Sequence, residues 1–108
     1  MSSTAFWSQN QVGGPYATYE ESWEAIEDRV RLYPALEDLM PTHQEGKTVL
    51  DYGCGPGHDT LLFCLHGAGH VFYYDISPLA LEIVDMRLEL HDVADRASPT
   101  DMFWIPPV

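Results

Sequence analysis

Three glycines at alternate positions follow a short apolar run in the segment T-V-L-D-Y-G-C-G-P-G-H-D-T, residues 48–60. Gly53, Gly55 and Gly57 would allow a tight turn from a strand into a helix and a close approach of a ligand to the backbone. One or two glycines would be enough for the turn alone, so the third favours a binding loop. The segment therefore predicts a small-molecule site, with a purely structural turn as the alternative.

The spacing of the glycines and the acids around them separate the kinds of ligand. The dinucleotide pattern G-x-G-x-x-G would place its last glycine at position 58, which is histidine here, and the G-K-[ST] ending of a P-loop is missing. Asp51 lies two residues before the first glycine, and Asp59 follows the last one. Because these carboxylates would repel a pyrophosphate at the start of the helix, they favour a ligand with an ammonium group.

Another acid lies where a nucleoside ligand would need one. Asp75 follows the apolar run H-V-F-Y-Y and comes 20 residues after Gly55. An acid at about this distance accepts hydrogen bonds from ribose hydroxyls in nucleotide-binding α/β folds. The alternative role for such an aspartate is to cap the next helix, but Ser77 is already available for that. We therefore expect Asp75 to bind a ribose.

Two predicted helices lie on either side of this region. Thr18 and Glu21 have the spacing of a capping box, and Pro34 should end the helix that they start. Ser77 is a predicted N-cap, with Pro78 at the first helical position. Apolar residues recur at helical spacing in both segments. The first helix carries Trp23, Ile26, Val30 and Tyr33 on a face expected to lie in the core or at an interface, and the second carries Leu79, Ile83, Met86 and Leu90.

Strands alternate with these helices along the chain. Residues 48–52 and 70–75 predict two strands, and residues 58–66 predict a helix between them. Residues 96–100 are expected to be a loop, and residues 102–106 a third short strand. This alternation of strands with helices favours a parallel α/β sheet.

Composition excludes several classes of partner. The chain has 17 acidic residues against 5 lysines and arginines, a net charge of −12, which argues against nucleic acid and against an anionic membrane surface. Neither a signal peptide nor an apolar run of ~20 residues is visible. Cys54 and Cys64 have neither the spacing of a disulfide framework nor that of a zinc site, so we expect no metal and a cytoplasmic location.

The segments V-L-D-Y-G-C-G-P-G-H-D-T and G-A-G-H-V-F-Y-Y-D-I-S-P-L-A-L-E-I-V resemble the class I S-adenosylmethionine-dependent methyltransferases. The first is similar to the nucleotide-loop motif of that family, and the second to its acidic strand end. The resemblance covers roughly residues 47–88, with a lead-in helix at 18–40. It implies a three-layer, Rossmann-like sheet truncated to about three strands in the order 3-2-1. It divides the chain into an N-terminal arm, 1–17, and a partial S-adenosylmethionine-binding domain, 18–108.

The resemblance also implies which residues hold the cofactor. Backbone groups of residues 53–55 would contact its methionine part, and Asp51 would hold the ammonium group, directly or through water. Asp75 would accept hydrogen bonds from the ribose, and Ile76 would pack on the adenine. Tyr19 lies where family members often place an aromatic ring over the cofactor, with helix packing as the alternative. The implied cofactor-binding residues are Tyr19, Asp51, Gly53, Cys54, Gly55, Asp75 and Ile76, and no catalytic base is indicated.

Three functions compete. The first is transfer of a methyl group from S-adenosylmethionine to an unidentified acceptor, with S-adenosylhomocysteine as product, by a methyltransferase or its cofactor-binding N-terminal portion. The second is a truncated, non-catalytic module that acts through dimerisation or partner binding. The third is a dinucleotide-binding domain, which the displaced glycine and Asp51 disfavour.

The first strand also predicts a partner. Residues 48–52 have the pattern of a central strand that is apolar on both faces, and such a strand at a sheet edge invites pairing. In the family that the chain resembles, strand four lies beside strand one, and we expect this chain not to encode it. A homodimer, or a missing C-terminal half, would then cover the edge, and a small-molecule methyl acceptor would be a further partner.

Overall fold

The computed structural model describes residues 14–36 and 44–101. Within these ranges three helices alternate with three strands, and all the strands run parallel in the order β1-β2-β3. The predicted α/β fold and its 3-2-1 strand order are therefore confirmed. None of the helices described is long and apolar enough to cross a membrane. The elements are α1 (Tyr19–Leu32), β1 (Thr48–Tyr52), α2 (His58–Leu65), β2 (His70–Tyr74), α3 (Pro78–Leu90), one turn of 3-10 helix (Ala94–Arg96) and β3 (Ala97–Pro99).

The predicted helix starts are present. The Thr18 hydroxyl accepts a hydrogen bond from the Glu21 N–H at 3.1 Å, and the Glu21 carboxylate reaches back to the N–H of Ala17 at 3.1 Å. This is a capping box whose return bond is displaced by one residue. Ser77 caps α3 by accepting from the N–H of Ala80 at 3.3 Å, and α1 ends before the proline as expected.

The helices pack together against one face of the sheet. Val71 and Tyr73 of β2 are buried under them, and Asp51 of β1 faces the same side because it is in register with Tyr73. The opposite face of β1 carries Leu50 and Tyr52, which are exposed. The helical side of the core is formed by Ile26, Leu61, Leu62, Cys64, Val84 and Leu88.

The third strand lies earlier in the chain than predicted. Ala97–Pro99 pairs with residues 71–73 of β2, so the expectation of a loop over residues 96–100 was wrong. A strand of three residues that includes proline has no alternating pattern, and only its pairing with β2 reveals it. Residues 102–106, where the third strand was expected, lie outside the described residues.

The buried faces of α1 and α3 differ from the apolar stripes seen in the sequence. The members of these stripes that are exposed are Trp23, Tyr33, Leu79 and Met86, so of the two roles expected for the Trp23 face the core holds only in part. Ser22 of α1 and Arg87 of α3 are buried instead, because the Arg87 guanidinium donates a hydrogen bond to the Ser22 hydroxyl at 2.8 Å. The interface between the two helices is therefore partly polar.

Candidate cofactor site

The glycine loop runs from the end of β1 to the start of α2, and its three glycines have two different roles. All have positive φ, at 76° for Gly53, 54° for Gly55 and 91° for Gly57, a region that other residues rarely adopt. A Cβ added to Gly53 or Gly55 would meet no atom within 4 Å, whereas one on Gly57 would lie 2.8 Å from Val84 of α3. Gly53 and Gly55 therefore border open space that a ligand can fill, and Gly57 allows close packing.

The N–H groups of the loop are used inside the protein. Those of Gly53 and Cys54 both donate to the Tyr74 carbonyl, at 2.8 and 2.9 Å. That of Gly55 donates to the Asp75 carboxylate at 2.9 Å. The loop is thus tied to the end of β2, and these three N–H groups already have acceptors within the protein. A phosphate, which needs N–H donors, would therefore find few of them in this loop.

Asp75 connects the loop to α3. Its Oδ2 accepts from the Gly55 N–H, and its Oδ1 accepts from the Ser77 N–H at 2.9 Å. Each carboxylate oxygen has about two acceptor positions, so one remains on each oxygen. The neighbouring Ile76 is half-buried. The geometry fits a carboxylate that positions the loop and can still accept hydrogen bonds from two hydroxyls.

Asp51 lies below the loop and contributes negative charge. Its Oδ2 accepts a hydrogen bond from the Thr60 hydroxyl at 2.6 Å. Burial raises the pKa of Asp51, the carboxylates of Asp59 and Asp75 raise it further, and the Thr60 hydrogen bond and Arg29 oppose them. A carboxylate in such surroundings is stabilised by the arrival of a cation. The electrostatics of the site therefore favour a positively charged ligand.

Only one of these acids has an arginine partner in the described residues. Arg29 of α1 forms a two-point ion pair with Asp59, through Nε at 3.0 Å and Nη2 at 2.8 Å. The pair joins α1 to the first turn of α2, and no other salt bridge within those residues involves a carboxylate at the loop. Asp51 and Asp75 form no ion pair within those residues, so their charge remains to attract a cationic ligand.

Cys54 and Tyr19 are two other residues that the resemblance implies. Cys54 is buried in the loop, and burial together with Asp51 and Asp75 raises the pKa of its thiol, which disfavours the reactive thiolate. Tyr19 packs against Trp23 and His91. Ser22, one helical turn further along α1, is joined to the Pro56 carbonyl of the loop through Arg87.

Sequence reasoning missed Arg87, which contacts the loop from within the core. Its Nη1 donates to the carbonyl of Pro56, between the second and third glycines, at 2.9 Å. The available signal was its position, since Arg87 lies at helical spacing from Ile83 and Val84 on the buried side of α3. Within the described ranges, no three histidine, cysteine or acidic residues are grouped as a metal site.

A protein-family profile matches the part of the chain that carries this site. The profile of the methyltransferase domain family matches residues 23–104, which include the glycine loop and Asp75. The chain belongs to the class I S-adenosylmethionine-dependent methyltransferase family. S-adenosylmethionine, the cofactor of that family, has both the ammonium group and the ribose that the site suits.

Relatives and solved structures agree with this family. The ribosomal protein L11 methyltransferase of Dechloromonas aromatica is 43% identical over 68 residues, covering 59% of this chain and 23% of that protein. The protein of the same name from Burkholderia thailandensis is 51% identical over 54 residues, covering 50% of this chain and 18% of that protein. The methyltransferase-family chain thus spans about a fifth of the length of these curated relatives.

Two solved structures have the same fold. Protein arginine methyltransferase 10 of Arabidopsis thaliana superposes with a TM-score of 0.60 at 22% identity, over 80% of this chain and 25% of that one. Geranyl diphosphate C-methyltransferase of Streptomyces coelicolor, solved with Mg²⁺, geranyl diphosphate and S-adenosylhomocysteine, gives 0.55 at 24% identity, over 85% and 35%. At these identities the likeness concerns the fold alone.

Proposed function

We propose that this chain is the S-adenosylmethionine-binding portion of a methyltransferase and that the cofactor binds beside Gly53, Gly55 and Asp75. The observation that carries the proposal is the open space at the two glycines, next to an aspartate whose carboxylate is fixed 2.9 Å from the Gly55 N–H. A ligand in this space lies beside a carboxylate that can accept hydrogen bonds from its hydroxyls. The match to the methyltransferase family supports the identity of that ligand.

The residues divide the work of binding. Asp75 accepts from the ribose hydroxyls, and Ile76 lies next to it for the adenine. Asp51 is engaged with Thr60 at 2.6 Å, so it acts on the ammonium group through its charge or through a bridging water. Bound S-adenosylmethionine supplies an electrophilic methyl group on a sulfonium. The contribution of the chain is to orient that group towards an acceptor.

The proposed reaction is methyl transfer to a nucleophilic oxygen, nitrogen, carbon or sulfur atom. Similar proteins differ in the acceptor that their names give, which is ribosomal protein L11 for two relatives, arginine for one structure and geranyl diphosphate for the other. The shared part is the cofactor half of the reaction. The proposal for this chain accordingly specifies the cofactor and the reaction type and leaves the acceptor class broad.

Titration calorimetry tests the proposal directly. The purified chain is titrated in turn with S-adenosylmethionine, S-adenosylhomocysteine and NAD. We expect saturable binding of the first two ligands and none of NAD, because two carboxylates face the loop. Binding of NAD alone, or no binding of any ligand at millimolar concentration, would contradict the proposal.

A second candidate function rests on the outer face of β1. Leu50 and Tyr52 are exposed there, and the ring of Tyr52 packs against that of Tyr74 at 5.2 Å between centroids. We propose that a second copy of the chain covers this face and the edge of β1, as a two-fold pair. The uncharged side chains of Leu50 and Tyr52 support this choice, because a contact made through them places no acid of one copy against an acid of the other, whereas the net charge of −12 opposes association elsewhere on the surface. The chain would then be a dimeric module, with or without catalysis.

Both cysteines suit a reducing compartment. Cys54 and Cys64 are buried thiols with no disulfide between them. We propose a cytoplasmic location, where such thiols stay reduced.

A further inference from the structure

Arg87 of α3 bridges the glycine loop and α1 from within the protein. The residue is fully buried. Its Nη1 donates to the carbonyl of Pro56 at 2.9 Å, while its Nε and Nη2 donate to the hydroxyl and carbonyl of Ser22, at 2.8 and 2.9 Å. Pro56 lies between Gly55 and Gly57, so the anchored carbonyl belongs to the loop itself. One planar guanidinium thus fixes the loop and α1 in a single geometry.

The surroundings of Arg87 contain no opposite charge in the described part of the chain. Its remaining contacts are with Nδ1 of His58 at 2.9 Å and with the ring of Tyr16, whose centroid lies 4.3 Å from the guanidinium carbon. The salt bridges of the described residues belong to Arg29 and Arg31. Burying a cation costs several kcal/mol unless other groups compensate for its lost hydration. Here the compensating groups are neutral hydrogen-bond acceptors. An arginine under these conditions contributes geometry more than ionic attraction.

We propose that Arg87 is a positioning residue for the cofactor site: it holds Pro56, and with it the open side of Gly53 and Gly55, at a fixed place relative to α1. The inference rests on the proposed function, since it takes the glycine loop to be the cofactor loop. Ligand binding at the loop is thereby coupled to the start of α1 and to the residues before it. The ring of Tyr16, before α1, covers the guanidinium, and Ser22, in α1, accepts two of its hydrogen bonds.

The test compares Arg87→Met with Leu88→Ala, a neighbour in α3 that is also buried but whose side chain makes no hydrogen bond to the loop. Hydrogen exchange is measured at the amides of Gly55 and Gly57, which donate to Asp75 and to the Cys54 carbonyl. We expect exchange at these two amides to be about tenfold faster or more in Arg87→Met, because a buried hydrogen bond from a charged group is lost. Leu88→Ala should speed exchange at these two amides no more than it speeds exchange at the amides of β2. Arg87→Lys, which cannot span Pro56 and Ser22 together, replaces Arg87→Met if the latter does not fold.

Affinity for S-adenosylhomocysteine provides the second measurement. We expect about a tenfold loss or more in Arg87→Met and a loss below twofold in Leu88→Ala, even where the latter has the lower melting temperature. In the unaltered chain, the ligand should also slow exchange in the first turn of α1, and this effect should disappear in Arg87→Met. Equal loop exchange in the two variants would overturn the role of Arg87. If the unaltered chain fails to bind the ligand, the proposed function fails, while loop exchange still decides whether Arg87 positions the loop.

Discussion

The carboxylate of Asp75 accepts a hydrogen bond from the backbone N–H of Gly55 at 2.9 Å, so the acid that ends β2 holds the loop that ends β1. This bond joins two features that are 20 residues apart in sequence and makes them one site. The second oxygen of Asp75 is held by the N–H of Ser77, also at 2.9 Å. The direction in which the remaining acceptor positions point is therefore set before a ligand arrives, which lowers the entropic cost of binding.

Asp75→Asn should weaken binding of S-adenosylhomocysteine by about tenfold or more, since the amide keeps one oxygen acceptor and loses the other along with the charge. Asp85→Asn is the matched control, because Asp85 is an exposed acid on α3 and its replacement removes the same charge. Calorimetry on both variants measures the difference. Equal affinities for the two would show that Asp75 does not contact the ligand.

The glycines of the loop should separate affinity from stability. Gly57→Ala places a Cβ 2.8 Å from Val84 at positive φ, so we expect it to lower the free energy of unfolding by about 2–4 kcal/mol. Gly53→Ala meets no atom and should cost about 1 kcal/mol, through φ alone. Its new methyl group occupies the ligand space, however. We therefore expect the free energy of binding S-adenosylhomocysteine to weaken by more than the free energy of unfolding.

Chemical denaturation and calorimetry on the two glycine variants check this order. Val84→Ala is combined with Gly57→Ala as a control, because it removes the atoms that the new Cβ would strike. The double variant should lose less stability than the sum of the single variants. A Gly53→Ala protein with unchanged affinity would argue that the open space beside this residue is not the ligand site.

Much of the site could be predicted because it follows from local rules. The start of α1 at Thr18, the cap of α3 at Ser77 and the alternation of strands with helices each depend on a few neighbouring residues. The glycines and Asp75 have fixed spacing from the strand ends, and parallel strands bring those ends to one edge of the sheet. Sequence spacing was therefore enough to place the loop and its aspartate together.

What could not be predicted depends on contacts across the fold. β3 is three residues long, and its pairing with β2 is what makes it a strand. Arg87 belongs to the buried face of α3 because Ser22 and Pro56, at 65 and 31 residues' distance, provide its acceptors. Met86, beside it, is exposed although it is apolar. A pattern of apolar residues does not contain such partners.

The imidazole of His58 should make the protein sensitive to mild acid. Burial lowers the pKa of His58 from 6.5 to about 4, and the cations of Arg87 and Arg29 add to this effect. The unfolded chain then takes up a proton at higher pH than the folded one, so stability is fully present above about pH 6.5 and falls between pH 6.5 and 4. His58→Gln removes this dependence. Between pH 7 and 4.5 the unaltered protein should lose about 1–3 kcal/mol more than the variant.

The free energy of unfolding is measured against pH for the unaltered protein and for His58→Gln. The difference between the two curves isolates His58, because other groups titrate in both proteins. His91, whose pKa burial and Arg87 also lower, contributes equally to each. Following His58 by NMR in Arg87→Met gives a further check, since removal of the cation should raise the pKa of the imidazole. Curves that stay parallel from pH 7 to 4.5 would contradict the prediction.

The outer face of β1 should control self-association. Leu50 is 39% exposed in β1, and Leu79 is 39% exposed in α3, so the two leucines differ in location and not in accessibility. We expect the unaltered chain to be dimeric at micromolar concentration. Leu50→Lys should shift it to monomer, because a pair of two-fold-related lysines would face each other across the contact. Leu79→Lys, with the same change of charge, should leave the dimer intact.

Gel filtration with light scattering over a range of concentrations measures both variants against the unaltered chain. The comparison matters because a lysine raises the net charge from −12 to −11 in either variant, so the general repulsion between chains is the same. A dimer that Leu50→Lys disrupts and Leu79→Lys does not would place the contact on the outer face of β1. A stable monomer at micromolar concentration, or an equal effect of the two lysines, would mean that this face is not a contact between copies.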